Sequence, residues 1–259
     1  MVNPSHRRRH SILGASLVAN HFFPSTFQFE RTRAIRAEVY RRARLAARAR
    51  ILEVGAGEGR IAAEMADRTG RSVVGLDLIR PPVPRAGVRF VQGNAEALPF
   101  PAASFDAVGY HFAMLWVEHP LLALEEARRV LAPGGVVLIL SEPDLESRRD
   151  EPDTGLGRAI ARSVRASGGH PEAGREVARW LRETGFRPAI ETTRREWVGL
   201  SRPEEAEHEL AFLLERGVLG AEEFDAMAAG ERDAAKSGRR RVLLPISYGV
   251  GFIPWDGKG

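Results

Sequence analysis

The chemistry legible in this 259-residue chain begins at Ile51-Leu52-Glu53-Val54-Gly55-Ala56-Gly57-Glu58-Gly59-Arg60, an apolar run that ends in three glycines at alternate positions. Glycines so spaced let a ligand lie against the backbone where a Cβ would block it. Glu53 narrows the kind of ligand. A carboxylate beside the loop repels a pyrophosphate, yet it suits a cationic amino-acid group held directly or through water. The dinucleotide pattern G-x-G-x-x-G also fails, because its third glycine would fall on Arg60. A second acid, Asp77, follows about 20 residues after Gly57, the spacing at which a carboxylate meets ribose hydroxyls in doubly wound folds. Together these residues describe a ligand that is a nucleoside at one end, cationic at the other and free of phosphate. S-adenosylmethionine, with its ribose, sulfonium and ammonium, has that chemistry.

The elements that must position these residues alternate. Residues 31–50 contain no Gly or Pro and predict a helix leading into a strand at 51–54. A helix at 60–68, strands at 72–77 and 88–92, a short segment at 95–98, a strand at 105–110, a helix at 120–131 and a strand at 136–140 ending at Ser141 follow. Short apolar strands alternating with helices imply a mostly parallel sheet covered by helices, an α/β Rossmann-like fold. Pro81, Pro82 and Pro84 exclude a helix between Asp77 and Val88. Residues 142–153 are a polar stretch; a helix at 172–184 stops at Gly185, and 186–197 read as a strand. Ser201-Arg202-Pro203-Glu204 reads as a capping box opening a helix that Gly217 closes, and 221–236 form a second helix. Residues 241–253 predict a late antiparallel strand whose Pro245 suggests an edge or a bulge. The expected organisation is an N-terminal arm at 1–30 and one domain at 31–259: a cofactor-binding half at 31–145, substrate-side helical additions at 146–240 and a final strand at 241–253.

Composition excludes several other functions. The chain has no cysteine, hence no disulfide, Cys-ligated metal or thiol nucleophile, and a cytoplasmic location is expected. The formal net charge is +4, and all but Lys236 and Lys258 of the 38 basic residues are arginine. Most arginines are interleaved with acids, which argues against a nucleic-acid partner. Arg7-Arg8-Arg9 and the apolar run at 11–19 resemble an export signal, but the run is short and Leu17 breaks the cleavage pattern. No segment approaches the roughly 20 apolar residues of a membrane span.

Four segments carry a family resemblance: Glu53-Val54-Gly55-Ala56-Gly57-Glu58-Gly59; Val74-Gly75-Leu76-Asp77; residues 93–100 running on to Ser104-Phe105-Asp106; and residues 126–135, ending in Pro133-Gly134-Gly135. In this order they resemble the class I S-adenosylmethionine-dependent methyltransferases of the ubiquinone/menaquinone, small-molecule type. The resemblance is strong over 31–141 and weak afterwards. It implies that Gly55, Ala56, Gly57 and Gly59 lie along the methionine moiety with Glu53 beside them, that Asp77 holds the ribose and that Leu78 packs on the adenine. Asn94 replaces the family's usual Asp, and Ala95 would offer its N–H to the adenine; Glu96 joins them or merely stands at a helix start. Tyr110 would present its backbone to the methionine end. Relatives often carry a histidine pair where this chain has Leu115-Trp116.

Methyl transfer is an in-line displacement, so the protein mainly aligns the acceptor and excludes water, and a general base is optional. Active sites of open α/β sheets lie beyond the carboxyl ends of the strands, which singles out Tyr110, His111, Glu142 and Asp144. His111 is the first candidate base because imidazole titrates near neutrality; its alternative role is packing. Glu142 is the second. His119 precedes Pro120 and reads as a surface or capping residue. No ligand set at metal-binding spacing accompanies them, so no metal is expected. The expected function is S-adenosylmethionine-dependent O-, N- or C-methylation of a small, partly apolar metabolite. An RNA or protein methyltransferase and a non-catalytic S-adenosylmethionine-binding regulator or scaffold remain as alternatives. The N-terminal arm and the two late helices are the expected substrate lid.

Overall fold

In the computed structural model, residues 29–198, 203–215 and 217–254 are described. The arm through His21-Phe22-Phe23-Pro24 and the Ser201 cap lie outside them. Helix α1 (Arg33–Arg42) buries Ile35, Arg36, Val39 and Tyr40 on one stripe. The helix expected to continue to residue 50 ends there, because Arg44 turns left-handed (φ 50°) and a single 3₁₀ turn, Leu45–Ala47, follows. Asp106 then fixes the approach to the sheet: its Oδ2 accepts from the N–H groups of Ala49 (3.1 Å) and Arg50 (2.9 Å), and its Oδ1 accepts from the Arg50 guanidinium at 2.7 Å.

Strand β1 (Ile51–Val54) is buried throughout, as a strand covered on both faces must be. Helix α2 (Arg60–Thr69), β2 (Val73–Asp77), β3 (Val88–Gln92), β4 (Phe105–His111), α3 (Pro120–Val130) and β5 (Leu131–Pro143) follow. No helix joins β2 to β3, as the prolines require. The segment at 95–98 is a turn closed by a bridge between Asn94 and Ala97. The chain continues through β6 (Arg149–Glu151), α4 (Leu156–Ala166), α5 (Ala173–Glu183), β7 (Arg187–Val198), α6 (Pro203–Glu215), α7 (Ala221–Lys236) and β8 (Arg241–Phe252).

One eight-stranded sheet contains every strand among the described residues. β3, β2, β1, β4 and β5 are parallel neighbours in that order. β8 runs antiparallel to β5, β6 and β7. β7 pairs with β8 over its whole length, so β5 and then β6 must share the opposite edge. β8 is therefore interior, and the edge position inferred from Pro245 is corrected. The strand tolerates its proline because residues 246–252 pair with β5 and 241–243 with β6, leaving Pro245 at the junction. Its carbonyl there accepts from Asp144 N–H at 2.9 Å. A register shift in β5 between Ile139 and Glu142 supplies the bulge. β5 also outruns its expected end at Ser141, so Glu142 lies in the strand. Leu131 pairs with Phe105 and Val136 with Ala107, which sets Pro133-Gly134-Gly135 outside the ladder as the expected turn.

Two cores flank the sheet. α1 and α2 cover one, with Val39, Tyr40, Ile61 and Met65 against Ile51 and Leu138. The other packs α3, α4 and α5 against Leu52, Val54, Val108 and Ile139. The late helices extend that second core through Leu210 and Leu213, which are fully buried. A buried charge cluster ties them down. Arg148 meets Asp150 at 2.9 Å, and Arg240 meets Asp150 at 3.5 Å and Glu231 at 2.8 Å. The ends of β7 and β8 are register partners, Val198 opposite Arg241.

Candidate active site

The glycine loop turns at the carboxyl end of β1. Gly55, Gly57 and Gly59 all adopt positive φ, at 74°, 51° and 73°. Two of them also lack room for a side chain: a Cβ on Gly55 would stand 2.7 Å from the Ala113 Cβ, and one on Gly59 2.4 Å from the Phe90 ring. The Leu76 carbonyl of β2 accepts from Gly55 N–H (2.8 Å) and Ala56 N–H (3.0 Å). Asp77 Oδ2 accepts from Gly57 N–H at 2.8 Å, and its Oδ1 from Ile79 N–H at 3.1 Å. The sequence-predicted carboxylate and the sequence-predicted loop are thus joined directly.

Glu53 is almost wholly buried at the root of this loop. Burial pushes its carboxyl well above the usual range, and a hydrogen bond from the Ala62 N–H in the first turn of α2 opposes that shift. Its Oε2 has no protein partner among the described residues. Arg85 donates to the Glu58 carbonyl at 2.7 Å, fastening the proline-rich loop to the apex of the glycine loop. Neither Arg85 nor Phe90 was a sequence candidate; no spacing or composition marks them.

Gly93 N–H donates to the Asp77 carbonyl at 2.9 Å and brings the Asn94 turn beside β2. Asn94 Oδ1 accepts from Glu96 N–H at 2.9 Å, and Glu96 Oε1 accepts from His119 N–H at 2.9 Å, just before α3. Glu96 thus contacts the backbone just before α3, from a turn that opens no helix of its own. His119 is the N-cap residue of α3, but its side chain makes no cap bond. Leu78 and Ala95 are half-buried, and the Leu78 carbonyl accepts from Gln92 Nε2 at 2.8 Å.

At the end of β4, Tyr110 is fully buried and donates its hydroxyl to the Ala123 carbonyl at 3.2 Å. Its backbone lies in register with Val54 at the root of the glycine loop. The His111 ring turns towards α1, its Nε2 paired with Thr32 Oγ1 at 2.9 Å. Arg36 donates to the same hydroxyl at 2.6 Å and to Glu64. Burial and the nearby guanidinium push the imidazole well below its usual value, so it is neutral at physiological pH. Asp144 accepts from Ser147 and meets Arg175 at 3.4 Å.

Glu142 is fully buried beneath the turn that follows β4. Its Oε1 accepts from Ala113 N–H (2.9 Å) and Met114 N–H (3.0 Å), while Oε2 has no protein partner among the described residues. Burial raises its pKa to about 7; hydrogen bonds from Met114, Ala113 and Leu115 hold the rise in check. The folded state therefore binds a proton that the unfolded chain releases between pH 4.5 and 7, and stability falls across that window. The expected cost of ionisation is on the order of 3 kcal/mol. Glu209, also raised to about 7 by burial, adds to the decline. Urea titrations of the parent and Glu142→Gln at pH 5 and pH 8.5 should show a smaller loss in the variant, and equal losses would place the titration elsewhere.

Glu53, Gly55, Ala56, Gly57, Gly59 and Asp77 converge at the carboxyl ends of β1 and β2, and Asn94, Ala95 and Glu96 adjoin them. His111 and Glu142 point away from each other's partners, one to α1 and one to the turn at 112–116. Among the described residues, no group of three His, Asp or Glu side chains gathers as a metal site, and no helix is long and apolar enough to cross a membrane.

Residues 52–139 match the family model described as a methyltransferase domain. Over 141 residues the chain is 36% identical to a sterol 24-C-methyltransferase of Gibberella zeae, an alignment covering 46% of this chain and 37% of the relative. It is 37% identical over 110 residues to a ubiquinone/menaquinone biosynthesis C-methyltransferase of Rhizobium meliloti, covering 38% of this chain and 43% of that one. The chain thus spans less than half the length of these curated relatives. A structure of Haemonchus contortus phosphoethanolamine N-methyltransferase 2, solved with S-adenosylhomocysteine, superposes with a TM-score of 0.53 at 17% identity, over 92% of this chain and 56% of that one. That likeness concerns the fold. The matched segment spans the glycine loop, the parallel strands and most of β5, so this part of the chain is similar to a methyltransferase domain.

Proposed function

We propose that the protein transfers a methyl group from S-adenosylmethionine to a small, partly apolar metabolite. The hydrogen bond between Asp77 and Gly57 carries this reading. It sets a glycine loop and a carboxylate side by side, as a nucleoside with an amino-acid tail requires. The donor set fits the cofactor. A carboxylate has about four lone-pair sites, enough for Asp77 to hold two amides and accept from ribose hydroxyls. Glu53 Oε2 suits the ammonium end, where a cation would favour ionisation of the buried acid. Leu78, Asn94 and Ala95 would take the adenine, with Glu96 supporting the turn, and the Tyr110 backbone would border the methionine end. When bound, the cofactor supplies an electrophilic methyl group on a sulfonium.

Residues 31–145 would form the cofactor half and 146–240 the substrate side, with α6 and α7 excluding water above the strand ends. His111, neutral and paired to Thr32, could accept a proton only after that pair opens, and Glu142, buried with Oε1 on two backbone amides, would serve the turn rather than an acceptor. Both curated relatives are named as C-methyltransferases, one of sterols and one of ubiquinone/menaquinone biosynthesis, which supports an apolar acceptor. The test is incubation with S-adenosylmethionine labelled in its methyl group and an acceptor-rich cell extract, followed by fractionation. Label in the solvent-extractable small-molecule fraction is expected. Label in RNA or protein would overturn the acceptor class, and cofactor binding without transfer to any fraction would favour a regulator or scaffold.

A further inference from the structure

The end of β4 carries a strained backbone that the methyl-transfer chemistry does not by itself require. Phe112 is a non-glycine residue at φ 51°, a left-handed conformation that persists only where its surroundings over-determine it. Those surroundings can be named. Phe112 N–H donates to the Ser141 carbonyl at 2.8 Å. Beyond it, the amides of Ala113 and Met114 point at Glu142 Oε1. The Leu115 carbonyl accepts from His170 N–H at 2.8 Å. On its other side the same turn abuts the glycine loop, where the Ala113 Cβ occupies the space a Gly55 side chain would need. From behind, α5 comes so close that a Cβ on Gly174 would lie 2.7 Å from the Glu142 carbonyl oxygen, which fixes the backbone presenting the carboxyl group.

We propose that Glu142 is a positioning residue: by holding the amides of the 113–115 turn it sets Ala113 against Gly55 and so fixes the glycine loop in its cofactor-binding shape. The inference rests on the cofactor reading above. It gives Glu142 a role through the backbone rather than through proton transfer to an acceptor. Reach, not charge, is the property that matters. The substitution Glu142→Gln keeps an oxygen for the two amides, whereas Glu142→Asp withdraws it by one methylene.

The test compares Glu142→Gln, Glu142→Asp and the parent by titration with S-adenosylhomocysteine and by amide hydrogen exchange at residues 113–115. In Glu142→Asp, binding should weaken tenfold or more and exchange at Ala113 and Met114 should accelerate. In Glu142→Gln, both should stay within about threefold of the parent. A folded Glu142→Asp variant that binds and exchanges like the parent overturns the proposal, as does a folded Glu142→Gln variant as impaired as Glu142→Asp. If Glu142→Asp does not fold, the Gln variant still decides, because protection of Ala113 and Met114 must survive there. A parent that fails to bind S-adenosylhomocysteine sinks the cofactor reading instead, while the exchange data independently report whether Glu142 holds the turn.

Discussion

Asp77→Ala should lower the affinity for S-adenosylmethionine about 100-fold. The carboxylate accepts from the N–H groups of Gly57 and Ile79 and, in the proposed complex, from ribose hydroxyls. Hydrogen bonds to a charged acceptor contribute roughly 1.5–3 kcal/mol each. Loss of about 3 kcal/mol corresponds to about two decades in Kd. Two mechanisms share that loss, a loosened loop and a lost ribose contact, and a double-mutant cycle separates them. Removing the ribose hydroxyls from the ligand should weaken binding to the parent at least tenfold and barely affect the Ala variant. Equal sensitivity in both proteins would mean that the ribose is held elsewhere and that Asp77 serves only Gly57. Asp77→Asn, which keeps one acceptor oxygen, should fall between.

Gly59→Ala should destabilise the fold by roughly 3–4 kcal/mol, the sum of two separable contributions. A left-handed backbone at φ 73° costs a non-glycine residue roughly 1–2 kcal/mol. The new methyl would also lie 2.4 Å from the Phe90 ring, and overpacking of this kind costs typically 1–3 kcal/mol. Phe90→Leu in the same chain should return the packing share and leave the backbone share. Denaturant unfolding of the two single variants and the double variant measures the coupling. Strictly additive effects would falsify the claim that Gly59 is a glycine because of Phe90.

The sheet and the loop were legible in the sequence wherever a short apolar run abutted a glycine or proline. β1, β3 and α7 match their expected limits, since Gly55, Gly93 and Gly220 punctuate them sharply. α4 escaped notice. Its apolar face at Leu156, Ile160 and Val164 is interrupted by arginines, and Gly155-Leu156-Gly157 reads as a loop, whereas Gly157 stands in the first turn because the Asp150 carboxylate presses on it. That is a tertiary reason. Pro245 misled for a similar cause: proline weakens a ladder only where a neighbour needs its missing N–H, and the junction between β5 and β6 asks for none. The expected helix to residue 50 overran because Arg44 adopts a conformation that its residue type does not announce.

At the candidate site, the residue types were readable but the partners were not. Asp77 and Gly57 were paired by spacing, and they do meet. Glu53 was read for its charge towards a ligand, while the Ala62 amide gives its carboxyl a second contact inside the fold. Glu142 was placed beyond its strand. Its burial under the 113–115 amides depends on the bulge in β5 and on the left-handed turn at Phe112, and neither leaves a mark in the order of residues.

The pairing of Val198 with Arg241 makes everything between them, α6 and α7 included, the overgrown connection of a β-hairpin. Lengthening such a connection is cheap, since each doubling adds only about 0.6 kcal/mol of closure entropy. This excursion is therefore an interchangeable module. Another connection could stand in its place while the eight strands keep their registers. One condition governs the exchange. A transplanted module must bring counterparts of Glu231 and Arg240 together or neither, because one without the other would leave an uncompensated buried charge beside the Arg148–Asp150 pair.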